Sequence, residues 1–286
     1  MPELPEVETI RRNLEGLVLQ KELSRLEGYT PEVLINPEGL DPCGQTLQSL
    51  DRKGKYLLFN FDQASLLVHL RMTGKLLFVE PGKDPEEDKN LASHLRARLT
   101  FADGSRLLFD DLRRFGRLSL FPLGETWRDK GFANLGPDAI GPDWTWEDFW
   151  TKLQRRPKSS IKGALLDQTL VAGLGNIYAD EVLFRAGIRP DSLTGQIPED
   201  KVREIYRLVP CLLEESIGLG GTSFRDYVNS FGRKGHFQLS LAVYQKEGQA
   251  CPKCGAIIEK IQVAGRGTRY CPVCQKAYTG QKAKGH

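Results

Sequence analysis

No apolar run in the 286 residues approaches the roughly 18 that a membrane helix needs. The opening Met1-Pro2-Glu3-Leu4-Pro5-Glu6 lacks the basic and then apolar segments of a secretory signal, so the expected location is the cytoplasm. Neither polarity nor apolarity is extreme: 40% of residues are hydrophobic and 27% charged, which excludes a disordered or collagen-like chain. Methionine is scarce, with two residues, and net charge is nearly absent at +3. The length fits about two domains with hydrophobic cores of their own, at roughly 150 residues each.

The small net charge hides an asymmetry. Residues 232–286 hold ten Lys or Arg against two Asp or Glu, a balance of +8, which leaves −5 for residues 1–231. A basic C-terminal end points to a polyanion partner, although such a stretch also serves as a solvated solubility device.

Four of the six cysteines form Cys251-Pro-Lys-Cys254 and Cys271-Pro-Val-Cys274, two Cys-x2-Cys pairs separated by sixteen residues. This is zinc-ribbon spacing: each pair sits on a tight turn that aims two thiolates at one metal. Ile257, Ile258, Ile261 and Val263 are strand material, and Gly265-Arg266-Gly267-Thr268 is the expected hairpin turn. Disulfides are the alternative, but nothing in the sequence indicates an oxidising compartment. Four thiolates close the coordination shell, so the expectation is one structural zinc ion and not a catalytic metal. Cys43 and Cys211, with apolar neighbours, are expected to be inert buried thiols.

Residues 6–17 carry Val7, Ile10, Leu14 and Leu17 on one helical face. From about 45 to 122 the pattern turns to short β runs, at 56–59, 66–70, 97–101 and 106–109, the last two joined by Ala102-Asp103-Gly104-Ser105 with its Asp-Gly hairpin signal. A β-sandwich or barrel follows. Pro81 to Asn90 reads as a solvated loop. Gly/Pro punctuation around Gly136-Pro137 and Gly141-Pro142 suggests an interdomain connection. Beyond it, segments near 146–155, 160–169, 177–187 and 199–217 read as helices. Asn176 is a candidate N-cap for the helix from Ile177, after Gly173-Leu-Gly175. Backbone amides at such a start can receive a phosphate, and the same helix pair can equally be scaffolding.

Taken in order, several segments resemble the bacterial formamidopyrimidine-DNA glycosylase family. They are Pro2 to Thr9 (PELPEVET), Gly54-Lys55-Tyr56-Leu57, His69-Leu70-Arg71-Met72-Thr73-Gly74, Asp111 to Gly116 (DLRRFG), Leu165 to Gln168 with Val171 to Tyr178, Gly220 to Tyr227 (GGTSFRDY), and the zinc hairpin. They run from residue 2 to 275. The resemblance implies a multidomain α+β fold: an N-terminal β-sandwich carrying an N-terminal helix over 1–130, a linker at 131–148, a helical domain with a helix-two-turn-helix over 149–240, and a four-cysteine zinc-finger β-hairpin over 241–286.

It also implies a bifunctional glycosylase and lyase of base excision repair, acting on damaged double-stranded DNA, chiefly on oxidised purines opposite cytosine. It implies a monomer associated with the bacterial nucleoid, with no nucleotide cofactor and no membrane contact. Pro2 would be the nucleophile once Met1 is removed: an α-amino group titrates at about 7.7–8.0, so a useful fraction is neutral near physiological pH, whereas a lysine at about 10.4 needs a large shift. Glu3 would move protons at the opening sugar, with Glu6 as a supporting carboxylate. Met72, Arg113 and Phe115 would fill the space behind an extruded base. Lys55, Asn176 and Arg266 would grip phosphates, Lys55 and Arg266 counting also with the catalytic set. Thr222 to Tyr227 would form the loop that meets the base.

Plainer readings stand beside these. A Pro-Glu opening also simply starts a helix, Met72 and Phe115 can be core residues, and Arg266 can be a solvated turn residue. Two rival functions remain: an endonuclease VIII-type enzyme for oxidised pyrimidines, against which Leu4 and the Arg113-Arg114-Phe115-Gly116 cluster speak, and a non-catalytic zinc-ribbon DNA-binding protein.

Overall fold

The computed structural model describes residues 1–83, 94–223 and 228–279. Most of the Pro81–Asn90 loop, part of the Gly220–Tyr227 motif and the last residues of the zinc segment therefore lie outside the described residues. The chain divides into two compact units, residues 1–134 with 216–238, and residues 135–215 with 239–286.

In the first unit, helix α1 (Leu4–Val18) begins two residues before the apolar face predicted it. Two sheets follow. One has the order β1-β7-β8-β6, from strands β1 (Leu23–Gly28), β6 (Lys75–Val79), β7 (Leu95–Phe101) and β8 (Arg106–Asp110). The other has the order β2-β9-β5-β4-β3, from β2 (Leu34–Ile35), β3 (Leu47–Lys53), β4 (Tyr56–Phe61), β5 (Ala64–His69) and β9 (Arg117–Pro122). β2 and β9 pair in parallel; the other pairs are antiparallel. The Asp-Gly signal is realised as the β7–β8 turn, where Asp103 Oδ1 accepts from the Ser105 amide at 2.9 Å.

A single apolar core joins the sheets and the helix. Val7, Ile10, Leu14 and Val18 of α1 pack with Leu57, Phe59, Leu66, Val68, Leu99, Phe101, Leu107 and Phe109. Each such side chain contributes roughly 1.5–3 kcal/mol on burial, several times the value of an exposed ion pair on a helix, so packing is what holds α1 on the sandwich. β5 is buried on both faces along its length, as a central strand requires.

The second unit contains α2 (Trp146–Gln154), α3 (Ile161–Leu166), α4 (Asn176–Arg185), most of α5 (Glu199–Gly218) and the hairpin of β10 (Glu259–Val263) and β11 (Arg266–Tyr270). Phe184 of α4 shares a small core with Val243, Cys251, Ile258 and Cys271.

Four expectations change. Residues 216–238, which the resemblance places in a helical domain over 149–240, pack with the first unit: Phe78 N–H donates to the Ser230 carbonyl at 2.9 Å and Thr222 N–H to Glu6 at 2.8 Å. Asn176 does not cap α4. Gly175 is the N-cap, and the Asn176 side chain reaches elsewhere. The zinc-hairpin turn is Ala264-Gly265, both at positive φ (49° and 71°) as in a type I′ turn, so Arg266 opens β11 opposite Val263. Cys211 is exposed and Cys43 half-buried, because α5 turns Cys211 away from its packed face of Val202, Ile205, Val209 and Leu212.

Candidate active site

Pro2 and Glu3 are buried at the start of α1. Glu3 is the N-cap residue, with extended φ/ψ of −104° and −171°, and forms a capping box with Glu6. Proline in the first turn agrees with a helix start, since its missing N–H has no intrahelical acceptor there. The Glu3 amide donates to Glu6 Oε2 at 2.8 Å, while Glu6 Oε1 accepts from the Thr222 amide at 2.8 Å. Glu6 is 1% exposed. Its one carboxylate therefore joins the helix start to the Gly221–Ser223 segment of the same unit. Gly221 permits this: its φ is +80°, and a Cβ there would stand 3.0 Å from Glu6 Oε1. Ser223 is tied in turn, donating its amide to Gln238 Oε1 at 3.0 Å and accepting from the Gly235 amide at 2.9 Å.

Lys55 sits in the two-residue turn between β3 and β4, after Gly54 at φ +56°. It is buried, as is His69, whose ring meets the edge of Tyr56 with centroids 4.3 Å apart. Burial, with the Arg71 and Lys55 charges beside it, pushes the His69 imidazole down to about 3. Its Nδ1 accepts from the Arg71 amide at 3.0 Å, which leaves the proton of the neutral ring on Nε2. Tyr56, His69, Arg71, Arg117, Asp129 and Lys130 line a cavity of about 320 Å³.

Met72 and the Arg113–Phe115 cluster are brought together by a residue that motif reasoning passed over. Asp111 is fully buried. It accepts from the Thr73 hydroxyl at Oδ1, from the Arg113 amide at 3.2 Å and from the Gly116 amide at 2.7 Å. The loop after β5 and the loop before β9 are thus clipped side by side. Both present apolar side chains outward, with Met72 41% and Phe115 47% exposed. Arg113 lies over the Phe115 ring, 4.7 Å from its centroid. The core reading of Met72 and Phe115 therefore fails, since core residues are not half exposed.

In the second unit the Asn176 amide nitrogen donates to the Gly267 carbonyl of β11 at 3.1 Å. The α4 start and the hairpin are tied again beneath this bond. Lys162, fully buried on α3, donates to Asp180 Oδ1 at 2.6 Å and to the Thr268 hydroxyl at 2.7 Å, and Asp180 Oδ2 accepts from the Arg269 amide at 3.0 Å. Burial raises the Asp180 carboxyl to about 6 against the pull of Lys162 and the Arg269 amide. Arg266 stands exposed at the head of β11.

The four cysteine sulfurs lie within 4.8 Å of one another, with Cys251–Cys274 at 3.8 Å and Cys254–Cys271 at 3.5 Å. Tetrahedral zinc with Zn–S of about 2.3 Å needs sulfurs about 3.8 Å apart, so the cluster fits one structural zinc ion. Amides of Lys253 and Cys274 point at Cys251 and Cys271 sulfur at 3.4 and 3.3 Å, which stabilises thiolates.

Three family models match in the order of these parts: the formamidopyrimidine-DNA glycosylase N-terminal domain over residues 1–118, the formamidopyrimidine-DNA glycosylase H2TH domain over 135–228, and a zinc finger found in FPG and IleRS over 248–277. The formamidopyrimidine-DNA glycosylase of Ligilactobacillus salivarius is 42% identical over 279 residues, which covers 96% of this chain and 99% of that protein. The chain belongs to the formamidopyrimidine-DNA glycosylase family. The relative from Heliobacterium modesticaldum is also 42% identical, over 281 residues, covering 96% and 100% of the two chains. Among solved structures, a complex of Lactococcus lactis Fpg with DNA containing an abasic site is 39% identical with a TM-score of 0.86, covering 96% of this chain and 99% of that one.

Within this family member, the first unit gathers Pro2, Glu3, Lys55, Met72, Arg113 and Phe115, and the second gathers Asn176, Arg266 and the four cysteines. Glu8, Arg52, His69, Asp111 and Lys162 were absent from the sequence reading as site residues. His69 and Asp111 stood inside quoted motifs, and a buried charged residue next to an exposed cluster is the signal that finds them. Sequence offers no such signal for Arg52 or Lys162, because their burial depends on partners far along the chain.

Proposed function

We propose that the protein is a DNA glycosylase of base excision repair that removes oxidised purines through Pro2 and then cleaves the strand as a lyase. The observation that carries this reading is the buried Pro2-Glu3 start of α1, locked through Glu6 to the Thr222 segment. After loss of Met1, the secondary amine of Pro2 attacks C1′ of the damaged nucleotide. The C1′–N bond breaks, the base leaves with a proton, and Glu3 protonates the ring oxygen as the sugar opens to an iminium. The iminium acidifies the C2′ hydrogens, so β-elimination breaks the C3′–O bond and δ-elimination the C5′–O bond. Hydrolysis then returns free Pro2.

Met72, Arg113 and Phe115 stand half exposed on two clipped loops, which suits entry into a base stack. Arg113 keeps its donors available for the partner base while its face rests on Phe115. Lys55, Asn176 and Arg266 serve as phosphate donors; only one proton of the Asn176 amide nitrogen is used by Gly267, so the second is free for a phosphate. Zinc holds the hairpin that carries Arg266. With DNA as its partner, the protein acts in the bacterial nucleoid, as a monomer. The division at 131–148 and 241 is read as linker and zinc segment within this scheme.

Borohydride trapping on an 8-oxoguanine:cytosine duplex tests the reading. A covalent protein–DNA adduct is expected, and it should vanish in Pro2→Gly and when Met1 is retained. No adduct on any lesion would leave only a DNA-binding module. A pyrimidine-directed enzyme is the second reading, since a wild-type Lactococcus lactis Fpg structure similar to this chain, at 38% identity and a TM-score of 0.85, contains an oxidised pyrimidine in its DNA. Stronger trapping by thymine glycol than by 8-oxoguanine would favour it.

A further inference from the structure

The turn that carries Lys55 is tethered to the helix that carries Pro2 and Glu3. The tether is Arg52, near the end of β3, with its side chain 7% exposed. Its Nε donates to Glu8 Oε2 of α1 at 2.8 Å, and its Nη1 donates to the Gly54 carbonyl at 3.1 Å. The β3–β4 pairing reaches Lys53 and Tyr56, so Gly54 and Lys55 alone form the reversal. The guanidinium spans from α1 to that reversal. Glu8 is itself held from the other side: Oε1 accepts from Arg12 Nε at 2.8 Å and from Arg11 Nη2 at 3.1 Å. Arg11 Nη1 in turn donates to the Leu50 carbonyl of β3 at 3.4 Å. Burial works against ionisation of Glu8, but the three guanidiniums outweigh it and hold the carboxyl at about 2, so the tether is charged throughout the working pH range.

We propose that Arg52 is a positioning residue for the reaction: it fixes the Lys55 turn against α1 so that a phosphate held at Lys55 places the sugar carbon at Pro2. This rests on the roles proposed above for Pro2 and Lys55. The physical argument is one of distance. A DNA phosphate and the C1′ of its own nucleotide are joined by a few covalent bonds, so an error in the spacing of Lys55 and Pro2 becomes an error in the attack distance. A displacement of about 1 Å at a reacting centre costs up to about 10²-fold in rate. Arg52 restrains this two-residue turn from α1, through one guanidinium that reaches both Glu8 and the Gly54 carbonyl. Lysine at the same position keeps the ion pair with Glu8 but lacks the fork that also reaches Gly54.

Arg52→Lys therefore separates positioning from plain stability. Single-turnover cleavage of an abasic-site duplex should slow by about 10- to 10²-fold. The melting temperature, the Kd for an uncleavable abasic analogue and the salt slope of binding should stay near wild type. Lys55→Ala should lower that salt slope by about one phosphate contact. Wild-type rate in Arg52→Lys overturns the proposal, and so does a reduced salt slope in that variant, which would make Arg52 a phosphate contact itself. An unchanged slope in Lys55→Ala sinks the Lys55 role and the proposal with it, a result distinguishable because it appears in the other variant. If Arg52→Lys fails to fold, Glu8→Gln serves: it keeps an acceptor for Arg52 but weakens the tether, so slower cleavage at unchanged salt slope is expected and wild-type cleavage overturns the proposal.

Discussion

Two hairpin turns in this molecule each carry or adjoin a cation, Lys55 in one and Arg266 after the other, and they are held still by different means. The β3–β4 turn with Lys55 belongs to a five-stranded sheet on a large apolar core, with the Arg52 tether at its tip. The β10–β11 turn before Arg266 belongs to a two-stranded sheet with a small core of five buried residues. A two-stranded hairpin is marginal in water. Its rigidity comes from the cysteine cluster at one end and from Lys162, Asp180 and Asn176 along β11. Where apolar area is short, metal coordination and a buried ion pair take its place.

The largest break in that comparison is metal removal. Structural zinc contributes roughly 10–16 kcal/mol of apparent binding free energy at neutral pH, so chelation or Cys254→Ser should unfold the β10–β11 hairpin while the sandwich melts as before. Hydrogen exchange should report amides of 259–270 becoming unprotected, and DNA affinity should fall sharply. Unchanged affinity in metal-free protein would contradict the role given to the hairpin. Next comes Lys162→Met, which strands a buried Asp180 carboxylate and should cost about 3–5 kcal/mol in urea unfolding, with much of the loss recovered when Asp180→Leu is added. No recovery would show that the pair does more than satisfy itself. The third effect is on the sandwich side and depends on pH. His69 is held near 3 when folded against about 6.5 when unfolded, so the unfolded chain takes the proton first. That contribution is complete above pH 6.5 and is lost as pH falls toward 3. His69→Gln should flatten acid unfolding in this window, while Glu8, lowered to about 2, acts only below about 4.5.

Much of the fold was legible because local rules agreed with tertiary needs. The face of Val7, Ile10 and Leu14 became the buried face of α1, and the Asp-Gly pair became the β7–β8 turn. The cysteine spacing produced a four-sulfur cluster because both pairs ride on short turns. Arg266 was displaced from turn to strand because Ala264 adopts positive φ, a conformation that composition does not announce. Asn176 was misread as a cap for a related reason. Asn176 is already the first residue inside α4, with Gly175 in the extended cap position, and its amide nitrogen meets the Gly267 carbonyl, an acceptor that only the folded hairpin brings near.

By itself the sequence determined which chemistry is available: a proline at position 2, acidic residues beside it, four thiolates at zinc spacing and cations in separate motifs. Those are properties of residue identity and short spacing, which survive in any conformation. The tertiary structure alone decided what holds them. Glu6 meets Thr222 across 216 positions, Arg52 meets Glu8 across 44, and Lys162 meets Thr268 across 106. Partners so far apart leave no periodic trace in the chain. They become visible only when burial forces each charged group to find one.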